Sequence, residues 1–169
     1  MDKYLCLHLV KNKAMENNKV TFQFISEPSD VNFGGKVHGG AVMKWIDQAA
    51  YTCARTWSGT YCVTVYVGGI RFIKPVSIGD IVKVDATVIH TGTTSIHIAV
   101  DVYSRHIADP EYKKTTHCVI VFVSVDQDGK PQDVKPWIPI TEVEKKFCDY
   151  AKTLTKLRDR ISKEMEPFF

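Results

Sequence analysis

The chain has 169 residues, 44% of them hydrophobic and 24% charged. That is enough for one buried core, short for two, and too apolar for a largely disordered protein. The net charge of +3 comes from basic residues spread along the sequence, so the concentrated basic stripe of a nucleic-acid-binding protein is missing. The cysteines Cys6, Cys53, Cys62, Cys118 and Cys148 are odd in number and form no CxxC pair. They read as reduced thiols of a cytoplasmic protein, with neither the spacing of a metal site nor a histidine partner for a catalytic thiol. No apolar run is long enough for a signal peptide or a membrane span, so no membrane partner is expected.

In chain order, residues 20–25 read as a short strand ended by Glu27-Pro28-Ser29-Asp30. From 40 to 57 the pattern turns helical. Val42, Ile46, Ala49, Ala50, Cys53 and Trp57 recur at spacings of three and four, with Lys44, Gln48 and Arg55 opposite and Ser58-Gly59 as the stop. Four strands follow: 63–73, 82–88 and 96–102, each with alternating apolar positions, and 115–125, apolar enough to be central. Lys74-Pro75, Ile78-Gly79-Asp80 and Thr91-Gly92-Thr93-Thr94 mark turns between them, and residues 105–114 a polar loop. A last helix is predicted over 141–165, with Val143, Phe147, Tyr150, Ala151, Leu154 and Leu157 as its apolar seam. Strands joined mainly by short turns favour an antiparallel sheet, and the apolar-faced helix must pack on it. The expected fold class is α+β, a curved antiparallel sheet wrapped around a long central helix. The expected division is an N-terminal segment 1–19, a main domain 20–129 and a C-terminal extension 130–169.

The chemistry is concentrated where the first helix begins. Asn32-Phe33-Gly34-Gly35-Lys36-Val37-His38-Gly39-Gly40 is glycine-rich, as expected where backbone approaches a ligand just before a helix offers its free N–H groups. One acid follows on the helix, Asp47. At about 100° per residue it falls at the edge of the apolar stripe, beside Met43, Ala50, Tyr51 and Ala54, where its carboxylate should be partly desolvated. His38 is read as a residue that packs or hydrogen-bonds within the loop.

Taken with these residues, Pro28-Ser29-Asp30-Val31-Asn32, Gly35 through Gly40 with Asp47, Phe72-Ile73-Lys74-Pro75-Val76 with Gly79-Asp80, and Gly92-Thr93-Thr94-Ser95 give the chain its resemblance to a known family. It resembles the hotdog-fold acyl-CoA thioesterases, in particular the bacterial broad-range acyl-CoA hydrolase group related to the mammalian cytosolic enzymes. The resemblance implies hydrolysis of acyl-CoA to a free acid and CoA, with no cofactor and no metal. It also implies a homo-oligomer in which dimers assemble into a hexamer, with active sites at the dimer interface. Asn32 and Asp47 are then the catalytic pair, drawn from facing protomers. Gly34 and Lys36 depart from a common pattern of Asn and Asp at those positions.

Thioester hydrolysis needs an activated water or nucleophile, a stabilised oxyanion and a positioned leaving group. Asp47 is expected to act as general base or as nucleophile, and Asn32 to orient the water or the carbonyl. The backbone N–H groups of Gly39 and Gly40 would face the oxyanion. The CoA thiolate leaves readily, so a second carboxylate is not required. Thr93, Thr94 and Ser95 are expected along the pantetheine arm, and Lys74 and Arg105 near the CoA phosphates. Two rivals remain open: a hotdog hydratase or dehydratase using a His38 and Asp47 dyad, and a non-catalytic acyl-CoA-binding sensor.

Overall fold

The structure is a computed structural model that describes residues 18–169; Cys6 and nearly all of segment 1–19 lie outside them. Its strands and α-helices are β1 (Lys19–Ile25), α1 (Gly39–Ser58), β2 (Tyr61–Phe72), β3 (Ile81–Thr91), β4 (Ser95–Arg105), β5 (Lys113–Val125) and α2 (Glu142–Met165). The five strands form one antiparallel sheet in the order β1-β3-β4-β5-β2. The link from β2 to β3 is not a hairpin. It carries the chain from one edge of the sheet to beside the other, and β2 pairs with β5 instead. An eight-residue connection with turn signals fits a local return and a crossing equally well, so the strand pattern does not distinguish them.

Alternation decides which side chains form the core. Val82, Val84, Ala86 and Val88 of β3, Ile98 and Val100 of β4, and Ile120 and Phe122 of β5 point to the face that α1 covers, and all are fully buried. The α1 stripe meets them, and each of its six members is buried. Small residues at Ala49, Ala50 and Ala54 let the helix approach the curved sheet closely. Gly59, in the left-handed region at φ 77°, ends the helix by donating its N–H to the Arg55 carbonyl.

The opposite face is covered over part of its area by α2. This helix opens on a reciprocal cap: Thr141 Oγ1 accepts from the Glu144 N–H while the Glu144 carboxylate accepts from the Thr141 N–H. Phe147, Tyr150, Ala151 and Leu154 then pack over Ile89, Ala99 and Val119. Burial from both sides explains why β4 is buried at every position from Ile96 to Val100. Under α2 lie His90 and His97, with rings 5.1 Å apart. Burial, with the neighbouring His90 and Arg158 charges, pushes His97 down from 6.5 to about 4. Burial, aided by Lys152, also lowers His90. The four described cysteines are free and buried, and burial pushes the Cys53 and Cys118 thiols up to about 12. Among the described residues, no helix is long and apolar enough to cross a membrane.

Two stability measurements follow. Ile46, fully buried under the sheet, should lose about 2–5 kcal/mol on Ile46→Ala, read as a lower urea midpoint with unchanged m-value. Because His97 binds a proton less readily folded than unfolded, its contribution is complete above pH 6.5 and is lost as the pH falls toward 4. The parent should lose on the order of 3 kcal/mol across that window, and His97→Asn should flatten the dependence; an equally steep profile in the variant would contradict the assignment.

Candidate active site

The segment before α1 forms a tight loop fastened to its surroundings. Val31 bridges Val37, and Lys36 bridges Ser77. Asn32 organises the turn: its N–H donates to the Lys36 carbonyl at 2.7 Å, and its Oδ1 accepts from the N–H groups of Gly34 (2.8 Å) and Lys36 (3.1 Å). Its Nδ2 makes one long contact of 3.5 Å, to the Val37 carbonyl. The carboxamide oxygen is therefore engaged, while the exposed amide NH₂ retains donor capacity. Gly35 supplies the positive φ of 74° that the turn requires.

His38 is the N-cap of α1, its Nδ1 accepting from the Ala41 N–H at 3.1 Å. This is the hydrogen-bonding role within the loop that its position suggests. Gly40 has a specific reason to lack a side chain, since a Cβ there would stand 3.0 Å from the His38 ring. With Ala41 satisfied by His38, the Gly39 and Gly40 N–H groups have no protein acceptor among the described residues. They carry the positive end of a 20-residue helix. A cavity of about 370 Å³ opens beside them, walled by Val37, Gly39, Val42, Phe72, Ile73 and Lys74.

Asp47 lies eight residues into α1, roughly 12 Å along the axis from Gly39 at 1.5 Å per residue. It does not line that cavity. Its carboxylate accepts from Thr64 Oγ1 of β2 at 3.1 Å, and among the described residues it forms no ion pair with Lys44. The partly desolvated carboxylate expected from the helical pattern is not found within one chain, where Asp47 is exposed. The physical reason is its position: this side of α1 faces β2, which is an edge of the sheet among the described residues, with no further strand of them covering it. Thr64, the hydrogen-bond partner of Asp47, is a residue that sequence reasoning missed. It sits beside a register shift between Thr64 and Tyr66, and a bulge there re-aims side chains.

The remaining expected residues divide into two groups. Thr93, Thr94 and Ser95 lie at the β3–β4 turn, where the Thr93 carbonyl accepts from Val134, that of Thr94 from Ser124 and that of Ser95 from Gly92. Arg105 lies at the far end of β4, about 30 Å away along an 11-residue strand. Its guanidinium holds the following loop, donating to the Asp109 carbonyl at 2.9 Å and the Ile107 carbonyl at 3.3 Å. Arg105 and Lys74 share a second cavity of about 260 Å³ with Ser77, His106 and Lys113. Among the described residues, no group of His, Cys, Asp and Glu side chains could hold a metal ion.

Comparison with known proteins places this geometry. Residues 34–110 match the Thioesterase superfamily. An uncharacterized acyl-CoA thioester hydrolase of Buchnera aphidicola subsp. Schizaphis graminum is 33% identical over 75% of this chain and 96% of its own. An acyl-CoA hydrolase from Staphylococcus aureus, solved with butyryl-CoA, CoA and CoA disulfide, superposes with a TM-score of 0.83 at 28% identity, over 91% of this chain and 94% of that one. The same enzyme has been solved as alanine variants of an asparagine, of an aspartate 15 positions later and of a threonine 17 beyond that. A hexameric thioesterase from Yersinia pestis matches over 70% of this chain and 97% of its own, with 32% identity and a TM-score of 0.65. The sheet-wrapped helix, the glycine loop at its start and these relatives together establish that the chain belongs to the hotdog-fold acyl-CoA thioesterases.

Proposed function

We propose that the protein hydrolyses acyl-CoA at a site built from two copies, with Asn32 and the Gly39 and Gly40 amides of one protomer facing Asp47 and Thr64 of the other. The observation that carries this reading is the separation along α1. A rigid buried helix holds the carboxylate roughly 12 Å from the oxyanion-binding amides, too far for both to reach one carbonyl. A twofold arrangement brings the N-terminal part of one α1 toward the middle of the other. The free β2 edge is the natural seam, with Val65, Val67, Ile70 and Phe72 exposed along or beside it. The Yersinia pestis relative is hexameric, and we take dimers assembled into a hexamer as the state of this chain too. The residues altered in the Staphylococcus aureus enzyme support the assignment. Asn32, Asp47 and Thr64 follow one another at the same spacings, 15 and then 17 positions.

In the reaction, water adds to the thioester carbon and its proton passes to an Asp47 oxygen. The carbonyl oxygen gains negative charge, which the Gly39 and Gly40 N–H groups receive. The tetrahedral intermediate then expels the CoA thiolate, leaving a free acid. Thr64 fixes one carboxylate oxygen, so the other is directed to the water, which the Asn32 NH₂ helps to hold. Direct attack by Asp47 would instead pass through an anhydride; label found in Asp47 after a single turnover in ¹⁸O-water requires that route, whereas direct addition of water puts label in the product acid alone. The Lys74 and Arg105 cavity is the proposed phosphate end, Lys74 being the less engaged of the two cations. Thr93, Thr94 and Ser95 are proposed along the pantetheine arm of a site seen from the facing protomer. We take residues 20–129 as the catalytic unit, 130–169 as the extension over its outer face, and the cytoplasm as its location. The chemistry draws only on protein groups and water.

In the hydratase reading His38 would have to act through Nε2, since its Nδ1 is bonded to the Ala41 N–H, and an enoyl-CoA would be consumed without release of thiol. Thiol release from short, medium and long acyl-CoAs tests the proposal. The parent should liberate CoA, and Asp47→Ala should lower kcat by on the order of 10²–10⁴. Asn32→Ala and Thr64→Ala should lower it less, Thr64→Ala also altering the pH profile because it positions the carboxylate. An unchanged kcat in Asp47→Ala would remove it from the mechanism, and a parent that binds acyl-CoA without releasing thiol would make the protein a sensor.

A further inference from the structure

The apolar seam of α2 outlasts the sheet it packs on. Phe147, Tyr150 and Leu154 are partly buried against the outer face, but the stripe continues at the same spacing through Leu157, Ile161, Met165 and Phe168. These are 46%, 51%, 44% and 84% exposed. The path of the helix explains why. Cys148 lies 3.5 Å from His90 of β3, whereas Leu154, six residues later, lies against Gly69 of β2, where a Cβ would be 3.6 Å from its side chain. Over that interval α2 passes diagonally from β3 to the β2 edge. Arg158, its guanidinium 5.8 Å from the Tyr66 ring, keeps α2 beside β2. Seven more helical residues follow, about 10 Å of helix, and their apolar side chains at Ile161 and Met165 stay exposed.

We propose that this overhanging end is a clasp between two copies of the chain. Leu157, Ile161 and Met165 of one protomer cross the β2 seam and pack on the outer sheet face and α2 of the second. The inference rests on the β2-edge dimer proposed above and names the surface that would lock it. Two observations, taken with the symmetry of the proposed dimer, select a second copy as the occupant. The stripe is continuous with residues that already pack beside β2, so joining two sheets there extends the surface it lies on. The twofold that relates the copies also makes the two α2 ends antiparallel neighbours. Charge order suits that pairing: Lys156 and Arg160 precede Glu164 and Glu166, so antiparallel ends set cations of one copy against acids of the other. A shallow open groove of about 380 Å³ runs along this end between Leu157, Arg160, Ile161, Glu164 and Met165.

Sedimentation velocity over a concentration series tests this with three proteins: the parent, Ile161→Asp/Met165→Asp, and the edge variant Val67→Lys. Circular dichroism checks that each keeps its fold, and Ile161→Leu/Met165→Leu controls for substitution itself. The double aspartate variant should raise the protomer–protomer dissociation constant at least about 30-fold, the leucine variant should not, and Val67→Lys should also dissociate. If Val67→Lys dissociates while the double aspartate variant associates like the parent, the clasp is wrong and the edge dimer stands. Intact dimers that fail only to form the larger assembly would place the stripe between dimers and overturn the clasp. A parent that is monomeric, or indifferent to Val67→Lys, would overturn the edge dimer and the clasp with it.

Discussion

A single rigid rod governs the arrangement of this protein. Helix α1 is buried along its whole apolar stripe, from Val42 to Trp57, and so cannot bend or slide without opening the core. It carries the Gly39 and Gly40 amides, without a protein acceptor among the described residues, and the Asp47 carboxylate, the two ends of the proposed chemistry, at a fixed separation of roughly 12 Å. One copy of the rod cannot close on one carbonyl. Two copies related by a twofold can, which makes assembly a condition of the proposed activity rather than an addition to it.

Local structure serves that end. The loop that presents Asn32 is tied by its own side chain, by bridges to Val37 and Ser77, and by the N–H of His38 donating to the Asp30 carbonyl. Ordering costs are met during folding, so a substrate at the proposed site would meet preformed donors. His38 takes the third helical amide, Ala41, and Gly39, the first helical residue, lines the cavity. Thr64 connects Asp47 to the edge strand. The carboxylate is thus held by the strand along which the second copy is proposed to join, coupling the site's geometry to the seam.

Much of this was legible in the sequence. The α1 stripe, the alternating strands and the stop at Gly59 are local patterns whose period states their structure. His38 was legible as a loop residue because it stands between a turn and a helix start. Asp47 and Asn32 stood out through their motif context. Thr64 did not, since a threonine in a strand is unremarkable and its aim depends on a register shift and on the pairing of β2 with β5, a contact distant in sequence. The same non-local pairing separated β2 from β3. The exposure of Asp47 was misjudged because a helical wheel counts the apolar neighbours on its own helix and not the absence of a strand beyond β2. Arg105 reads as a candidate phosphate partner, and its engagement with loop carbonyls is not visible in the sequence because it requires the loop's conformation.

The central claim is that each active site draws on two chains, and mixing defective copies tests it most directly. Asn32→Ala and Asp47→Ala protomers, separately purified, are dissociated, combined in equal amounts and reassembled, and thiol release is then measured. If the site is shared, each mixed dimer holds one site with both defects and one with neither, and activity should rise to about a quarter of the parent's from random pairing. If Asn32 and Asp47 of the same chain act together, every site keeps one defect, and the mixture should remain as inactive as its components.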